Sequence, residues 1–450
     1  MVKHNTKFHI FISCTIIIAL TIGLSVAMFD THAYAQNAFT PTPTLALDPI
    51  YRANIELAEA QVSNIRGLPI ATVNKQAVTP EELSALVQAD FESKYTIETA
   101  QADAAFYQAL GLLPYGVDLY SIANSIVTTS PTDYYNPVTN TVYMLPNISE
   151  GPLSLNQTVR YGENYIYALL ENQFNAFTQL NATNNLDQAT AMRAVIEGDM
   201  RFTLELLLIE LIQSGTYSLE SLLSQAASVG ALEFVSTPPP ILAEEATWGS
   251  EAGYRFVSKL YSETNTWRLV NLLYERPPLS TEHILHPTLY LLYEQPEKVA
   301  PISLEQFWSI QESNHWQLVV DQTVGEFYLR QHLLLGLDEA QTDQVATGWG
   351  GDRMMIYASA EGEFIMLWRI SFDTTTDFNE FAQGYRTFLN NWLLTTESAT
   401  DHSINCWEAS NRNVCFASIN EDVLIVSAPS LTTAQEILQF QINALTAIFG

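Results

Sequence analysis

The sequence predicts an α+β protein: a mainly helical domain over residues 50–340, then a small antiparallel-sheet domain over residues 341–450 with the order β-β-α-β-β-α. Three observations predict it. Helical periodicity with capping residues at the helix starts dominates up to about residue 335. Pro238-Pro239-Pro240 and Pro277-Pro278 cut that half into separate helices. Past Gly348 the pattern changes to paired strand-length runs, each pair followed by one helical segment.

The elements follow in order. Helical periodicity begins near Tyr51 and runs to about Arg66. Thr79-Pro80-Glu81-Glu82 opens a second helix: Thr79 caps, Pro80 takes the first position and Glu82 completes a capping box. More helix is expected over residues 104–112. The run from Tyr134 to Tyr143 reads as strand, Asn-Pro turn, strand. One helix is expected over residues 157–180 and a longer one over 187–213. Two more are expected over 253–260 and 266–274. Ser280-Thr281-Glu282 starts a short helix limited by Pro287. Residues 304–310, capped by Ser303, and 325–335 are again helical. In the last part, 354–358 and 364–372 form one strand pair through Glu361-Gly362. A helix over 377–389 follows. The strands 414–418 and 423–427 pair through Asn420-Glu421-Asp422, and a helix over 432–444 ends the chain.

The N-terminus points to export. Lys3 and Lys7 precede a stretch, 8–29, without formal charge apart from His9. Ala33-Tyr34-Ala35 supplies the small side chains that signal peptidase requires, so cleavage after Ala35 is expected. The alternative is an uncleaved anchor; both place the body outside the membrane, secreted or at the cell surface. Residues 36–49, with Thr40-Pro41-Thr42-Pro43-Thr44, read as an extended linker. Of three cysteines, Cys14 lies in the signal, and Cys406 and Cys415 remain as a pair expected to be a disulfide. Lys and Arg number 19 against 49 Asp and Glu, a net charge of −30. That charge repels nucleic-acid and anionic lipid surfaces, so neither is an expected partner; membrane contact is expected only through an uncleaved N-terminus.

Four stretches carry a family resemblance: Tyr134-Tyr135-Asn136-Pro137 through Tyr143; Ala168-Leu169-Leu170-Glu171-Asn172-Gln173-Phe174; Ala194-Val195-Ile196-Glu197-Gly198-Asp199; and the segment from Pro277 through His286 to Pro287. They resemble a family of exported bacterial proteins with a gluzincin-like metallopeptidase domain, over roughly residues 68–330. The resemblance implies a helix bearing H-E-x-x-H, whose two histidines bind zinc while the glutamate activates water. A glutamate on the next helix is the third ligand. Aligned on Ala168-Leu169, Glu163 stands for the first histidine, Asn164 for the catalytic glutamate and Tyr167 for the second histidine. Only Glu197, the third ligand, is retained. The chain after Ala35 has no histidine before His283, so no shift of register restores an imidazole pair. An amide at Asn164 cannot accept and return a proton. Catalytic residues: none are expected, and no cofactor is expected.

Glu163, Tyr167 and Glu197 offer oxygens to a hard cation, though calcium takes about 6–8 of them. The bland account is ion pairing: Arg193 and Arg201 lie four residues either side of Glu197, and Arg160 three before Glu163. His283 and His286, with Glu282 beside them, are a second candidate pocket or metal site. Gly348-Trp349-Gly350-Gly351-Asp352-Arg353 lacks the spacing of a phosphate cradle; it reads as a turn, with Asp352 and Arg353 pairing locally. The function expected is an exported, non-catalytic metallopeptidase-like protein that binds or scaffolds, with an unidentified protein or peptide partner. The alternative is a metal-dependent hydrolase working from Glu282, His283 and His286.

Overall fold

The computed structural model describes residues 49–128, 133–145, 153–221, 238–308, 315–398, 404–410 and 412–449. The expected signal segment, and the linker as far as residue 48, lie outside the described residues. No helix among the described residues is long and apolar enough to cross a membrane.

The helical half opens with α1 (Pro49–Arg66), β1 (Asn74–Ala77), α2 (Pro80–Lys94), α3 (Ile97–Ala109) and α4 (Leu119–Thr128). The expected capping box is present: Glu82 N–H donates to Thr79 Oγ1, and Thr79 N–H to Glu82 Oε2. The hairpin forms as expected from β2 (Tyr134–Asn136) and β3 (Thr141–Met144). β1 joins β3 in parallel, giving the order β1-β3-β2, which no local signal announced. Next come α5 (Leu155–Phe174) and α6 (Ala176–Asn181). The single helix expected over 157–180 is broken at Asn175, whose left-handed φ of 55° ends α5. α7 (Leu186–Gln213) is the longest element described; α8 (Pro240–Thr264), α9 (Arg268–Glu275), α10 (Thr281–Leu285) and α11 (Pro287–Leu292) follow. α8 begins 13 residues before its expected start, because Pro240 occupies the first turn, where its missing N–H costs nothing. Ser303 caps a 3₁₀ turn at Leu304–Gln306 rather than an α-helix.

The second half is one six-stranded antiparallel sheet, in the order β4-β5-β6-β9-β8-β7. Its strands are β4 (Trp316–Gln322), β5 (Trp349–Ser359), β6 (Phe364–Phe372), β7 (Asn405–Ala409), β8 (Arg412–Ile419) and β9 (Asp422–Ala428). α12 (Gly325–Leu333) and α13 (Glu339–Ala346) lie between β4 and β5, α14 (Thr375–Trp392) follows β6, and α15 (Leu431–Phe449) ends the chain. The sheet therefore reaches back across the expected boundary at 340/341 to take β4, and it adds β7, so two strands join the four expected.

Both faces of the sheet are covered. Ile365 and Leu367 point with Leu424 and Val426 to Ile437 and Leu438 of α15. Met366, Trp368 and Ile370 point the other way, into the cluster that continues through the helical half. Burial of both faces explains why β6 is nearly all apolar rather than alternating. Cys406 and Cys415 face each other across β7 and β8 and are disulfide-bonded, as expected.

Candidate functional site

α5 and α7 pack side by side, and α7 crosses α8 at very close range. Gly198 and Gly253 make that crossing: a Cβ on Gly198 would lie 2.2 Å from the Gly253 carbonyl, and one on Gly253 1.9 Å from Ala194 O. Asp199 is buried beneath it. It takes a two-pronged pair from Arg66, Nε to Oδ1 at 2.7 Å and Nη2 to Oδ2 at 2.8 Å, and a hydrogen bond from Tyr274 Oη at 2.9 Å. Two of the three residues in Glu197-Gly198-Asp199 thus act in packing, and only Glu197 faces the expected site.

At that site Tyr167 Oη donates to Glu197 Oε2 at 2.9 Å. Glu163 stands one turn before Tyr167 on the same face of α5. The ion pairs expected around these carboxylates are not those found. Arg160 sits 3.6 Å from Asp133. Arg201 donates to Ser250 Oγ and lies over the Tyr254 ring. Arg193 influences Glu197 through its field but stands beyond ion-pair distance. Among the described residues no guanidinium comes within 4 Å of Glu163 or Glu197. Asn164 is buried, and its amide donates to Asp133 O at 3.1 Å and Arg160 O at 2.9 Å, tying α5 to the residue before β2. A carboxylate there would face two carbonyl oxygens.

Burial first, then the field of Glu197, pushes the Glu163 carboxyl from an ordinary 4.5 up to about 8. Glu197 is also raised by burial, with Tyr167 and Arg193 opposing. A carboxyl raised on folding is protonated in both states at low pH. As pH climbs above about 4.5 the unfolded chain ionises freely while the folded site resists, so stability is lost up to about 8. Glu163→Gln removes this titration and keeps the shape. Its melting temperature should therefore fall less than the parent's between pH 5 and pH 8. Parallel melting curves across that interval would show that this carboxyl does not titrate there.

Burial of Glu245 on α8 brings a third acid near the same region. It accepts from Tyr107 Oη and Tyr328 Oη, both at 2.6 Å, and burial raises it to about 7. A cleft of about 620 Å³ lies between α3, the first half of α7 and β4; Arg193 is among its lining residues, whereas Glu163, Tyr167, Glu197 and Glu245 are not. Ala189 and Arg193 line it at i and i+4 on α7, and Glu197 is the next step along that stripe. The sequence shows Arg193 only as a neighbour of Glu197; its place in a cleft depends on β4, some 130 residues away.

The second candidate group does not converge. His283 is buried with both ring nitrogens committed: Leu279 N–H donates to Nδ1 at 3.3 Å, and Nε2 donates to Glu294 O at 3.0 Å. Burial lowers its pKa, keeping it neutral. His286 Nε2 instead meets Glu326, which also holds Arg330. Glu282 is buried among Glu326, Asp373 and Glu294, and burial pushes it up to about 10. Among the described residues no three His, Cys, Asp or Glu side chains are arranged to hold a metal ion.

The glycine-rich run also differs from expectation. β5 begins at Trp349, so the run is strand, not only turn. Asp352 accepts from the backbone N–H groups of Val324 and Gly325 and from Trp349 Nε1, anchoring the start of α12. Arg353 pairs with Asp321 of β4 at 2.6 Å rather than with Asp352. Gly351 is required by the chain crossing it, since a Cβ would stand 2.3 Å from Glu297 O.

A family described as a Domain of unknown function (DUF8575) matches residues 316–438 of the chain. The matched stretch begins at the first residue of β4 and ends within α15, so it is similar to that family across all six strands of the sheet. No curated protein and no solved structure matches the chain.

Proposed function

We propose that this is a metallopeptidase-like protein without peptidase chemistry, acting outside the membrane as a binding or scaffolding module through a cleft that takes peptide. The observation that carries this reading is the phenol of Tyr167 bonded to Glu197, where the resemblance calls for imidazole beside the third zinc ligand. The amide of Asn164, turned onto two backbone carbonyls, supports it, because general-base activation of water needs a free carboxylate. The neighbouring cleft, at about 620 Å³, falls in the size range of ligand sites. The disulfide is in keeping with an oxidising compartment.

The test is metal analysis of the purified protein together with incubation on a broad peptide library. The reading expects substoichiometric zinc and no cleavage, with peptides retained by the cleft. Stoichiometric zinc with turnover, lost in Glu197→Gln, would replace it with an active enzyme; loss in His286→Ala instead would favour a hydrolase centred there.

A further inference from the structure

We propose that the cleft beside α7 binds an extended peptide as an added strand on the free edge of β4, with a carboxylate of that peptide paired to Arg193. The inference rests on the reading of the cleft as a peptide groove and names the chemistry of its ligand.

The strand edge comes first. β4 is the terminal strand of its sheet, and among the described residues no strand pairs with its outer side. Residues 319–322 all line the cleft. Side chains of a strand alternate between faces, so a face would contribute every second residue. In β4 that alternation is broken, and residues 319–322 of this terminal strand together form one wall of the cleft. The register slips between Leu318 and Val320, leaving Val319 outside the pairing with β5. An extended chain laid along such an edge gains main-chain hydrogen bonds, the usual source of affinity in strand addition.

The charge comes second. Arg193 is the one Lys or Arg lining the cleft, and among the described residues no carboxylate lies within 4 Å of it. It is half-buried. The acids nearby are otherwise engaged. Asp321 is held by Arg353. Asp103 accepts from Tyr95 Oη at 2.9 Å, and burial raises its carboxyl well above the usual range, towards the neutral form. Glu98 is fully exposed and accepts from Thr96. Glu197 and Glu245, beneath Arg193, are bonded to tyrosines and both raised by burial. In a chain of net charge −30, Arg193 is thus a guanidinium that faces a groove with no carboxylate of the described residues within ion-pair distance. A guanidinium fork matches a carboxylate in two parallel hydrogen bonds.

The experiment is equilibrium dialysis of the purified protein against three randomised hexapeptide pools. One has free C-terminal carboxylates and no Asp or Glu; one is amidated and contains Asp and Glu; one is amidated and lacks both. At least one carboxylate-bearing pool should be retained about tenfold or more over the third, as expected for charged hydrogen bonds of this kind. Which pool it is tells a chain end from an acidic side chain. Arg193→Gln should erase the preference and Arg193→Lys should keep part of it, with unchanged urea midpoints. Methylating alternate backbone nitrogens of the retained peptides should cost about tenfold as well. Equal retention of all three pools, or a preference unchanged in Arg193→Gln, overturns the pairing and leaves the peptide groove standing. Retention unaffected by N-methylation overturns strand addition. Retention of no pool overturns both the inference and the groove.

Discussion

Arg66→Met should cost about 3–5 kcal/mol of stability, read as a lower urea midpoint with an unchanged slope. The reason is what remains behind. Arg66 and Asp199 are both wholly buried, and the guanidinium lies 4.1 Å above the Trp267 ring. Asp199 also accepts from Thr203 Oγ1 and Tyr274 Oη, and Tyr274 is pushed up first by burial and then by that carboxylate. Without Arg66 the carboxylate has no countercharge within reach, in a place that water does not enter. Removing both partners should cost much less than the two single losses added together: a buried pair replaced by apolar side chains of similar volume is often neutral. Arg66→Met/Asp199→Leu is the variant to measure. If the double variant is as unstable as the sum, the pair supplies net stability of its own, and an orphaned carboxylate is not what makes Arg66→Met costly.

Gly253→Ala should be the second large effect, at the upper end of the roughly 1–3 kcal/mol seen for overpacking. The added carbon would overlap a backbone oxygen, Ala194 O, so no side chain can rotate away; α7 and α8 must separate. Glu197 adjoins the crossing, so the Tyr167–Glu197 hydrogen bond should loosen with it. Gly249→Ala supplies the control. It lies one turn earlier on α8, with nothing within 4 Å of a new Cβ. There the better helix former should gain roughly 0.5–1 kcal/mol. Equal changes at the two positions would mean that the crossing does not depend on bare backbone.

These two effects show why the Glu-Gly-Asp run misleads when read as chemistry. Its glycine and aspartate answer to Gly253 and Arg66, on other helices. The ion pairs expected around Glu197 fail for the same reason. Spacing of four residues places Arg201 near Glu197 on α7, but Ser250 and Tyr254 of α8 offer the guanidinium a closer home. His283 and His286 are legible as near neighbours in sequence, but only His283 lies within α10, His286 being the cap residue between α10 and α11. That their rings part, one to Glu294 O and the other to Glu326, depends on the chain after them.

β4 and β7 are hidden in the sequence for reasons that can be stated. In β4, Leu318 and Val319 are exposed while Val320 is buried, and a bulge interrupts the alternation, so its residues carry no period of two. β7 is five residues long and is a strand because β8 lies beside it. The start of α8 is obscured because Glu245 and Gly249 interrupt the buried stripe of Ile241, Leu242, Trp248 and Ala252, and the three prolines before it read as a break.

By itself the sequence determined what neighbouring residues decide: the capping box at Thr79, the hairpin from Tyr134 to Tyr143, the cap at Ser280, the strands bracketing Gly362 and the absence of imidazole before His283 in the chain beyond residue 35. The tertiary structure alone decided which buried charge answers which, where two helices touch backbone to backbone, and that β4 and Arg193 share a cleft. The physical reason is range. Caps, turns and strand alternation are satisfied within a few residues, whereas a buried charge or an open strand edge is answered only by groups that folding brings from far along the chain.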